Sequence, residues 1–196
     1  MSNDKHSVDL SIYTRGDYDP GSWFRRALWY GLSLAFFESA LPWPRPFKRG
    51  LLRAFGALVG EGVVIKPRVR IKYPWHLSVG DHSWIGEEVW IDNLAPVNLG
   101  DHVCLSQGAF LLTGNHDRHS TSFDLRMSPI EIDNGAWIGA RAVVCPGVRM
   151  ESHAVLNAGA VAKGRLETDG IYEGNPAKRI GTRVISAREK NGSENA

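Results

Sequence analysis

Seven histidines are the side chains of this sequence best suited to moving protons at neutral pH. His82, His102 and His153 recur at one position of a short sequence repeat, a position typical of surface turns. His116 differs, because it lies in Thr113-Gly114-Asn115-His116-Asp117, where the repeat is interrupted. A histidine there could act as the general base that removes the proton of an attacking hydroxyl group. It could also be an ordinary loop histidine.

Polar residues next to His116, and one pair farther upstream, could complete a site. Asp117 could orient His116 or stabilise the turn in which it lies. Asp92 and Asn93 lie in a turn before an insertion, where they could bind sugar hydroxyls or form an Asx turn. His119 adds a second imidazole, but a zinc ion needs three or four converging ligands. We therefore predict no metal site.

A six-residue repeat fills most of the chain and must position these residues. An aliphatic residue recurs at every sixth position, and a small or β-branched residue usually follows it four positions later. Three such units can close one triangular coil with the aliphatic side chains inside. Coils then stack at about 4.8 Å, the spacing between neighbouring strands. The aliphatic positions are Val59, Ile65, Ile71, Val79, Ile85, Ile91, Leu99, Leu105, Leu111, Ile132, Ile138, Val144, Met150 and Leu156.

The repeat predicts an all-β fold, a parallel β-helix over residues 59–181. A period of six fits neither an α-helix nor an amphipathic hairpin strand. The longest interruption predicts a loop at residues 112–131. Residues 1–58 form a separate aromatic-rich segment, and residues 182–196 form a polar tail.

The N-terminal segment is predicted to contain one or two helices. Gly21-Ser22 can cap a helix that begins at Trp23, and the following prolines should end it before a second helix at about Phe47 to Leu58. The first helix is apolar almost all round, so the rest of the domain, another subunit or a membrane surface must cover it. Its flanking arginines suit an anionic lipid surface. The apolar stretch 27–37 is too short to span a bilayer.

Composition and charge argue against several classes of protein. Lys and Arg number 23 and Asp and Glu 21, a formal charge of +2, so we expect no nucleic-acid partner. The two cysteines, Cys104 and Cys145, are too few for a disulfide framework and are predicted to be small core residues in a reducing compartment. The acidic start predicts no signal peptide. We expect a cytoplasmic protein, with the inner face of the membrane as a peripheral location.

Three short sequence motifs add to the evidence from the repeat. They are Thr113-Gly114-Asn115-His116-Asp117, Ala136-Trp137-Ile138-Gly139 and Gly174-Asn175-Pro176-Ala177-Lys178. With the repeat, they resemble the left-handed β-helix, or hexapeptide-repeat, sugar O-acetyltransferases over about residues 59–180. The aromatic N-terminal region is most similar to the colanic acid biosynthesis branch of that family.

This resemblance implies a fold, an activity and an assembly. The fold would be a left-handed parallel β-helix with a short helical N-terminal segment. The activity would be acetyl-CoA-dependent transfer of an acetyl group to a hydroxyl of a saccharide in polysaccharide biosynthesis. The acceptor could be nucleotide-linked or lipid-linked, and the first helix could then touch the membrane. The protein would be a homotrimer whose active sites lie between subunits.

The resemblance also implies roles for individual residues. His116 would be the general base, and Asp92, Asn93 and Asp117 would lie on the acceptor side. The cofactor-binding residues would be Trp137, Ala140 and Ala158 along the pantetheine arm and Lys163 and Lys178 at the phosphates. The alanines could equally serve packing, and the lysines could be ordinary surface charges. Gly86 stands where galactoside acetyltransferases place an acceptor-binding asparagine, which argues against simple galactosides.

Two other functions remain open on the sequence alone. One is a metal-dependent lyase that resembles the γ-class carbonic anhydrases, with His82, His116 and His119 as candidate ligands. The other is a non-catalytic β-helix scaffold. The acceptor sugar, its hydroxyl and its carrier are not encoded in any of the motifs.

Overall fold

The computed structural model describes residues 7–186, which form two helices, short 3-10 turns and many short strands joined by turns. The two helices are α1 (Trp23–Phe36) and α2 (Arg45–Ala54), and short 3-10 turns span Leu10–Ile12 and Pro74–His76. The strands are β1 (Leu58–Val59), β2 (Val64–Ile65), β3 (Arg70–Ile71), β4 (Leu77–Val79), β5 (Trp84–Ile85), β6 (Trp90–Asp92), β7 (Val97–Leu99), β8 (Cys104–Leu105), β9 (Phe110–Leu112), β10 (Gly114–His116), β11 (Leu125–Met127), β12 (Ile130–Ile132), β13 (Trp137–Ile138), β14 (Val143–Val144), β15 (Arg149–Met150), β16 (Val155–Leu156), β17 (Val161–Ala162), β18 (Arg165–Leu166), β19 (Gly170–Gly174) and β20 (Ala177–Thr182). Within the predicted polar tail, Thr182 ends β20, and residues 187–196 lie outside the described residues.

The strands form the three faces of a parallel β-helix. The first face has the order β1-β4-β7-β12-β15-β18, the second β2-β5-β8-β13-β16-β19-β20, and the third β3-β6-β9-β14-β17. Successive strands of the helix lie on different faces, and each pairs in parallel with its equivalent in the next coil. Only the final pair in these faces, β19 with β20, is antiparallel. The predicted fold class is confirmed.

The core lies inside the coils. Every aliphatic position of the repeat is buried, with at most 8% of its surface exposed. Equivalent residues stack in register from coil to coil, as in the column Ile65, Ile85, Leu105, Ile138 and Leu156. Each side chain in such a column contacts its counterparts above and below, so the coils bury one another.

The histidines at the repeat position lie in surface turns of the β-helix. His82, His102 and His153 have left-handed backbone angles, with φ of +56°, +56° and +61°. The rings of His82 and His102 stack with centroids 5.4 Å apart. The neighbouring Asp101 Oδ1 accepts a hydrogen bond of 2.7 Å from the Asp81 N–H of the previous coil. These residues therefore form the surface turns at one corner of the β-helix.

The helices of the N-terminal segment differ from the prediction at the second one. Helix α1 begins at Trp23, where the Ser22 Oγ accepts from the Arg25 N–H at 3.2 Å, as predicted. Helix α2 begins earlier and ends earlier than the predicted Phe47 to Leu58. Pro46 is accommodated in its first turn, where a missing N–H breaks no helical hydrogen bond. Gly56, with φ of +95°, then turns the chain into β1.

One side of α1 packs on the first coils. Trp29 is 2% exposed, and its Nε1–H donates to the Ile71 carbonyl at 2.7 Å. The rings of Phe37 and Phe55 each lie 5.2 Å from the Trp29 ring. The other side of α1 carries aromatic side chains that the described residues leave exposed. Neither helix within residues 7–186 is long and apolar enough to cross a membrane.

The long interruption at residues 112–131 contains a β-hairpin that the sequence did not predict. It leaves the third face after β9 and returns to the first face at β12. Strands β10 and β11 pair antiparallel, with His116 opposite Leu125. The hairpin therefore holds His116 on ordered backbone outside the β-helix.

Candidate active site

The imidazole of His116 is held by the hairpin in one orientation. Its Nδ1 lies 2.9 Å from the carbonyl oxygen of Phe123, and its ring stacks on the Phe123 ring with centroids 4.4 Å apart and an angle of 8°. A carbonyl oxygen only accepts, so Nδ1 must carry the proton in this contact. Nε2 then has a free lone pair, and it has no hydrogen-bond partner within residues 7–186. The arrangement leaves Nε2 able to take a proton.

Asp117 stabilises the hairpin rather than the His116 ring. Its Oδ2 lies 2.5 Å from the Arg126 guanidinium, and its Oδ1 accepts from the His119 N–H at 3.0 Å. The His119 N–H and the Arg126 cation lower the pKa of this carboxyl. The sequence left open whether Asp117 orients His116 or stabilises the turn, and these contacts are those of a residue that stabilises the turn.

His116 lies between two open clefts, each of which it lines. The first, which we call the Lys163 cleft, has a volume of about 590 Å³. Its lining contains residues of the hairpin and, from the β-helix, Cys145, Pro146 and Lys163. Arg118, Arg126 and Lys163 make it strongly cationic, with Asp117 as its carboxylate.

The second cleft, the Arg26 cleft, lies between the hairpin and the N-terminal segment. Its volume is about 420 Å³, and its lining consists of Tyr13, Arg15, Tyr18, Pro20, Arg26, Lys72, Tyr73, Asp92, Leu94, Gly114, Asn115, His116 and Leu125. The Tyr13 ring lies 5.8 Å from the His116 ring. The Asp9 N–H donates to the Thr121 carbonyl at 2.8 Å, which ties the N-terminal segment to the hairpin. These N-terminal residues could not be predicted from the sequence, because nothing in the repeat relates them to His116.

The predicted acceptor pair Asp92 and Asn93 has two different roles. Asp92 lines the Arg26 cleft, 2.8 Å from the Lys72 ammonium. Asn93 is fully buried. Its Oδ1 accepts a hydrogen bond of 3.0 Å from the Tyr73 N–H, and its Nδ2 donates one of 2.7 Å to the Tyr73 carbonyl. The prediction that Asn93 binds substrate is therefore wrong, since its side chain joins two coils and faces no cleft.

Gly86 stands at a position with no room for a side chain. A Cβ atom there would lie 2.7 Å from the Leu105 carbonyl oxygen and 3.0 Å from the Gln107 nitrogen. The backbone of the next coil thus excludes an asparagine at this position. Position 86 therefore offers no side chain to a binding site.

Of the residues predicted to bind the cofactor, a single chain brings only one close to His116. Lys163 shares a cleft with His116. Trp137 lies on the second face, where its Nε1–H donates to the Ser106 Oγ at 2.9 Å. Ala140 and Ala158 lie near the corner that follows this face, and Lys178 lies in the β19–β20 hairpin. None of these four lines either cleft.

Neither cysteine is fully buried in the core, contrary to prediction, although Cys145 packs against it. Both are half-buried. Cys104 precedes the buried Leu105 and faces outward between Trp84 and Trp137 of neighbouring coils. Cys145 lines the Lys163 cleft. Burial raises the pKa of both thiols.

The histidines do not converge. Within residues 7–186, no three His, Cys, Asp or Glu side chains form a group that could hold a metal ion. His82 stacks on His102 at a corner of the β-helix, whereas His116 and His119 belong to the hairpin. The ligand set named for a lyase is therefore not assembled within one chain.

Comparison with known proteins relates this fold and site to an enzyme family. No protein-family model matches the sequence. A protein of Escherichia coli K12 named as a colanic acid biosynthesis acetyltransferase is 34% identical over 164 residues, which cover 84% of this chain and 90% of that protein. The chain belongs to the hexapeptide-repeat acetyltransferase family. The galactoside O-acetyltransferase of the same organism is 26% identical over 146 residues, 73% of this chain and 71% of that protein.

Solved structures of hexapeptide-repeat acetyltransferases share the fold. One from Vibrio cholerae, in complex with acetyl-CoA, superimposes with a TM-score of 0.76 at 22% identity, over 88% of this chain and 96% of that one. By family this chain is therefore an acetyltransferase, and the solved structures share its fold. Family membership leaves the lyase and the scaffold without support.

Proposed function

We propose that this hexapeptide-repeat acetyltransferase moves an acetyl group from acetyl-CoA to a hydroxyl of a saccharide during polysaccharide assembly. The observation that carries the proposal is the position of His116 between two clefts, with its Nε2 lone pair free. A base in that position can reach a hydroxyl presented from one cleft and a thioester presented from the other. The name of the Escherichia coli relative supports the link to polysaccharide biosynthesis.

The chemistry assigned to His116 is one proton transfer in each direction. Acetyl-CoA supplies the acetyl thioester. His116 Nε2 takes the proton of the acceptor hydroxyl as the hydroxyl oxygen bonds to the acetyl carbon. The carbon–sulfur bond breaks, and the same nitrogen returns the proton to the departing sulfur. The Phe123 carbonyl keeps Nδ1 protonated and the ring oriented, and it favours the imidazolium that forms between the two transfers.

The Lys163 cleft is the donor side of this proposal. Its cations suit the phosphates of acetyl-CoA. Trp137, Ala140, Ala158 and Lys178 lie elsewhere on the chain, so they contribute only if a second copy of the chain places them against this cleft. A homotrimer with sites between its subunits meets that requirement, and we include it in the proposal.

Acetyl-CoA binding tests the donor side without knowledge of the acceptor. We expect saturable binding by calorimetry, weakened about tenfold by Lys163→Ala or Lys178→Ala through loss of a phosphate contact. Lys66→Ala removes another exposed charge, next to the second face and outside both clefts, and is expected to bind normally. In the Cys104→Ala variant, Cys145 is the only thiol, and bound acetyl-CoA should slow its alkylation. Absence of saturable binding would contradict the proposal.

The exposed side of α1 is proposed as a peripheral membrane contact at the inner face of the membrane, where a lipid-linked acceptor would be presented. Trp23, Phe24 and Tyr30 are 74%, 69% and 65% exposed. Aromatic rings in such a position suit the interfacial region of a bilayer.

Vesicle binding tests this contact. We expect the triple variant Trp23→Ser, Phe24→Ser and Tyr30→Ser to lose most of its co-sedimentation with anionic phospholipid vesicles and to keep acetyl-CoA binding. Leu58→Ser, at an apolar side chain that is 72% exposed elsewhere, is the control. Undiminished sedimentation of the triple variant, or a change in its oligomeric state instead, would refute the membrane contact.

A further inference from the structure

The Arg26 cleft contains buried polar atoms without hydrogen-bond partners. Four side-chain atoms of this kind occur within residues 7–186, and three of them belong to Tyr18, Arg26 and Asp92, which line this cleft. They are the Tyr18 hydroxyl, the Arg26 Nε and the Asp92 Oδ1, of which the last has only the ion pair with Lys72. Buried polar atoms are nearly always hydrogen-bonded, so the Tyr18 hydroxyl and the Arg26 Nε, which have neither a hydrogen bond nor an ion pair within the described residues, indicate that a ligand supplies their partners.

These groups interact as one cluster. Burial raises the pKa of the Tyr18 hydroxyl, and the Tyr73 hydroxyl and the Asp92 carboxylate raise it further, whereas the Arg26 cation opposes them. Tyr18 therefore stays protonated and able to donate. The cluster offers a hydroxyl donor, a guanidinium and a carboxylate to one bound molecule, and His116 lines the same cleft.

The cluster also has an excess of positive charge. The charged side chains of the cleft are Arg15, Arg26, Lys72 and Asp92. Lys72 and Asp92 pair with each other at 2.8 Å. Arg15 and Arg26 have no ion pair with any carboxylate of residues 7–186. Two unpaired guanidinium groups beside a base favour a ligand that carries an anionic group.

We propose that the Arg26 cleft binds the acceptor and that this acceptor is an anionic saccharide. Arg26 and Arg15 bind its phosphate or carboxylate group, and the Tyr18 hydroxyl and the Asp92 carboxylate bind hydroxyls of its ring. This inference rests on the proposed function, because it assigns the side of His116 opposite the Lys163 cleft to the acceptor. It goes beyond that function by naming the chemical class of the acceptor and the residues that select it.

Three probes that share one sugar ring test the charge selectivity. Methyl glucoside is neutral, glucose 1-phosphate carries a phosphate, and glucuronate carries a carboxylate. We expect at least one anionic probe to bind the full-length enzyme at least tenfold more tightly than methyl glucoside, by calorimetry in the presence of CoA. The probe that binds better identifies the anionic group as phosphate or carboxylate. Equal binding of all three, or no binding of either anionic probe, would overturn the inference.

Substitutions locate the binding. Arg26→Gln and Arg15→Gln should each weaken the anionic probe about tenfold or more and leave any binding of methyl glucoside unchanged. Arg149→Gln removes the same charge from an exposed side chain on the first face and should change nothing. Unchanged affinity in both Arg26→Gln and Arg15→Gln would refute the assignment even if an anionic probe binds.

Tyr18→Phe separates a binding role from a structural one. The Tyr18 hydroxyl lies beside the Tyr73 hydroxyl but makes no hydrogen bond of good geometry within the described chain, so its removal should change the melting temperature little. Probe affinity should nevertheless fall several-fold. A loss of stability with unchanged probe affinity would assign the hydroxyl to the fold.

Two different failures remain distinguishable. If acetyl-CoA does not bind, the proposed function fails with this inference. If acetyl-CoA binds normally and the three probes do not differ in affinity, the anionic acceptor alone is refuted.

Discussion

The His116→Ala variant is expected to lose about 10²- to 10⁴-fold in kcat for acetyl transfer, the usual contribution of a positioned general base. The His116 imidazole lines both clefts, and its Nε2 has a free lone pair. An alanine side chain has no group that could accept the hydroxyl proton. Acetyl-CoA affinity should stay within about twofold, because the phosphates are assigned to lysines. The measurement is release of free CoA in the presence of a glucose 1-phosphate or glucuronate acceptor.

His116→Asn separates the base from the position of the side chain. An asparagine amide can still donate to the Phe123 carbonyl, which His116 Nδ1 bonds at 2.9 Å, but it has no nitrogen equivalent to Nε2. We expect this variant to be as inactive as His116→Ala. His119→Ala, which removes an exposed imidazole from the same hairpin, is the matched control and should keep most of the activity. Comparable activity of His116→Asn and the parent enzyme would show that His116 is not the base.

Leu105→Ala is expected to destabilise the protein by about 2–5 kcal/mol, the usual cost of truncating a fully buried leucine. Leu105 lies in the middle of a column, in register with Ile85 on one side and Ile138 on the other. The coils on both sides are tied to it by strand pairing, so they cannot close the cavity. The free energy of unfolding from urea titration measures the effect.

Cys104→Ala is the control for this prediction, because Cys104 is the neighbour of Leu105 on the same strand and faces outward. Truncation of this half-buried side chain should cost under about 1 kcal/mol. Equal destabilisation of the two variants would contradict the prediction, because burial of the inward-facing side chain would then not account for the loss of stability.

The repeat could be predicted from sequence because its information is local and redundant. An inward-facing position every sixth residue is buried whichever coil it belongs to, so Val59 and Leu156 follow the same rule. The predictions were wrong where they rested on a single local feature of the sequence. The prolines before α2 suggested a later start, although Pro46 fits in a first turn. Asn93 looked like a free turn residue, but the coil before it uses its amide.

Sequence by itself determined the coil, the buried columns and the position of His116 at the longest interruption of the repeat. These follow from period and residue type, which need no knowledge of distant contacts. The handedness of the β-helix and the role of His116 came from resemblance to a family.

Tertiary structure alone decided how the site is built. It paired β10 with β11, directed His116 Nδ1 to the Phe123 carbonyl and placed Tyr18 and Arg26 beside Asp92. The last of these contacts joins segments far apart in the chain, and no periodic signal relates any of the three. Their partners are set by how the N-terminal segment and the hairpin meet over the third face, which is a property of the folded chain.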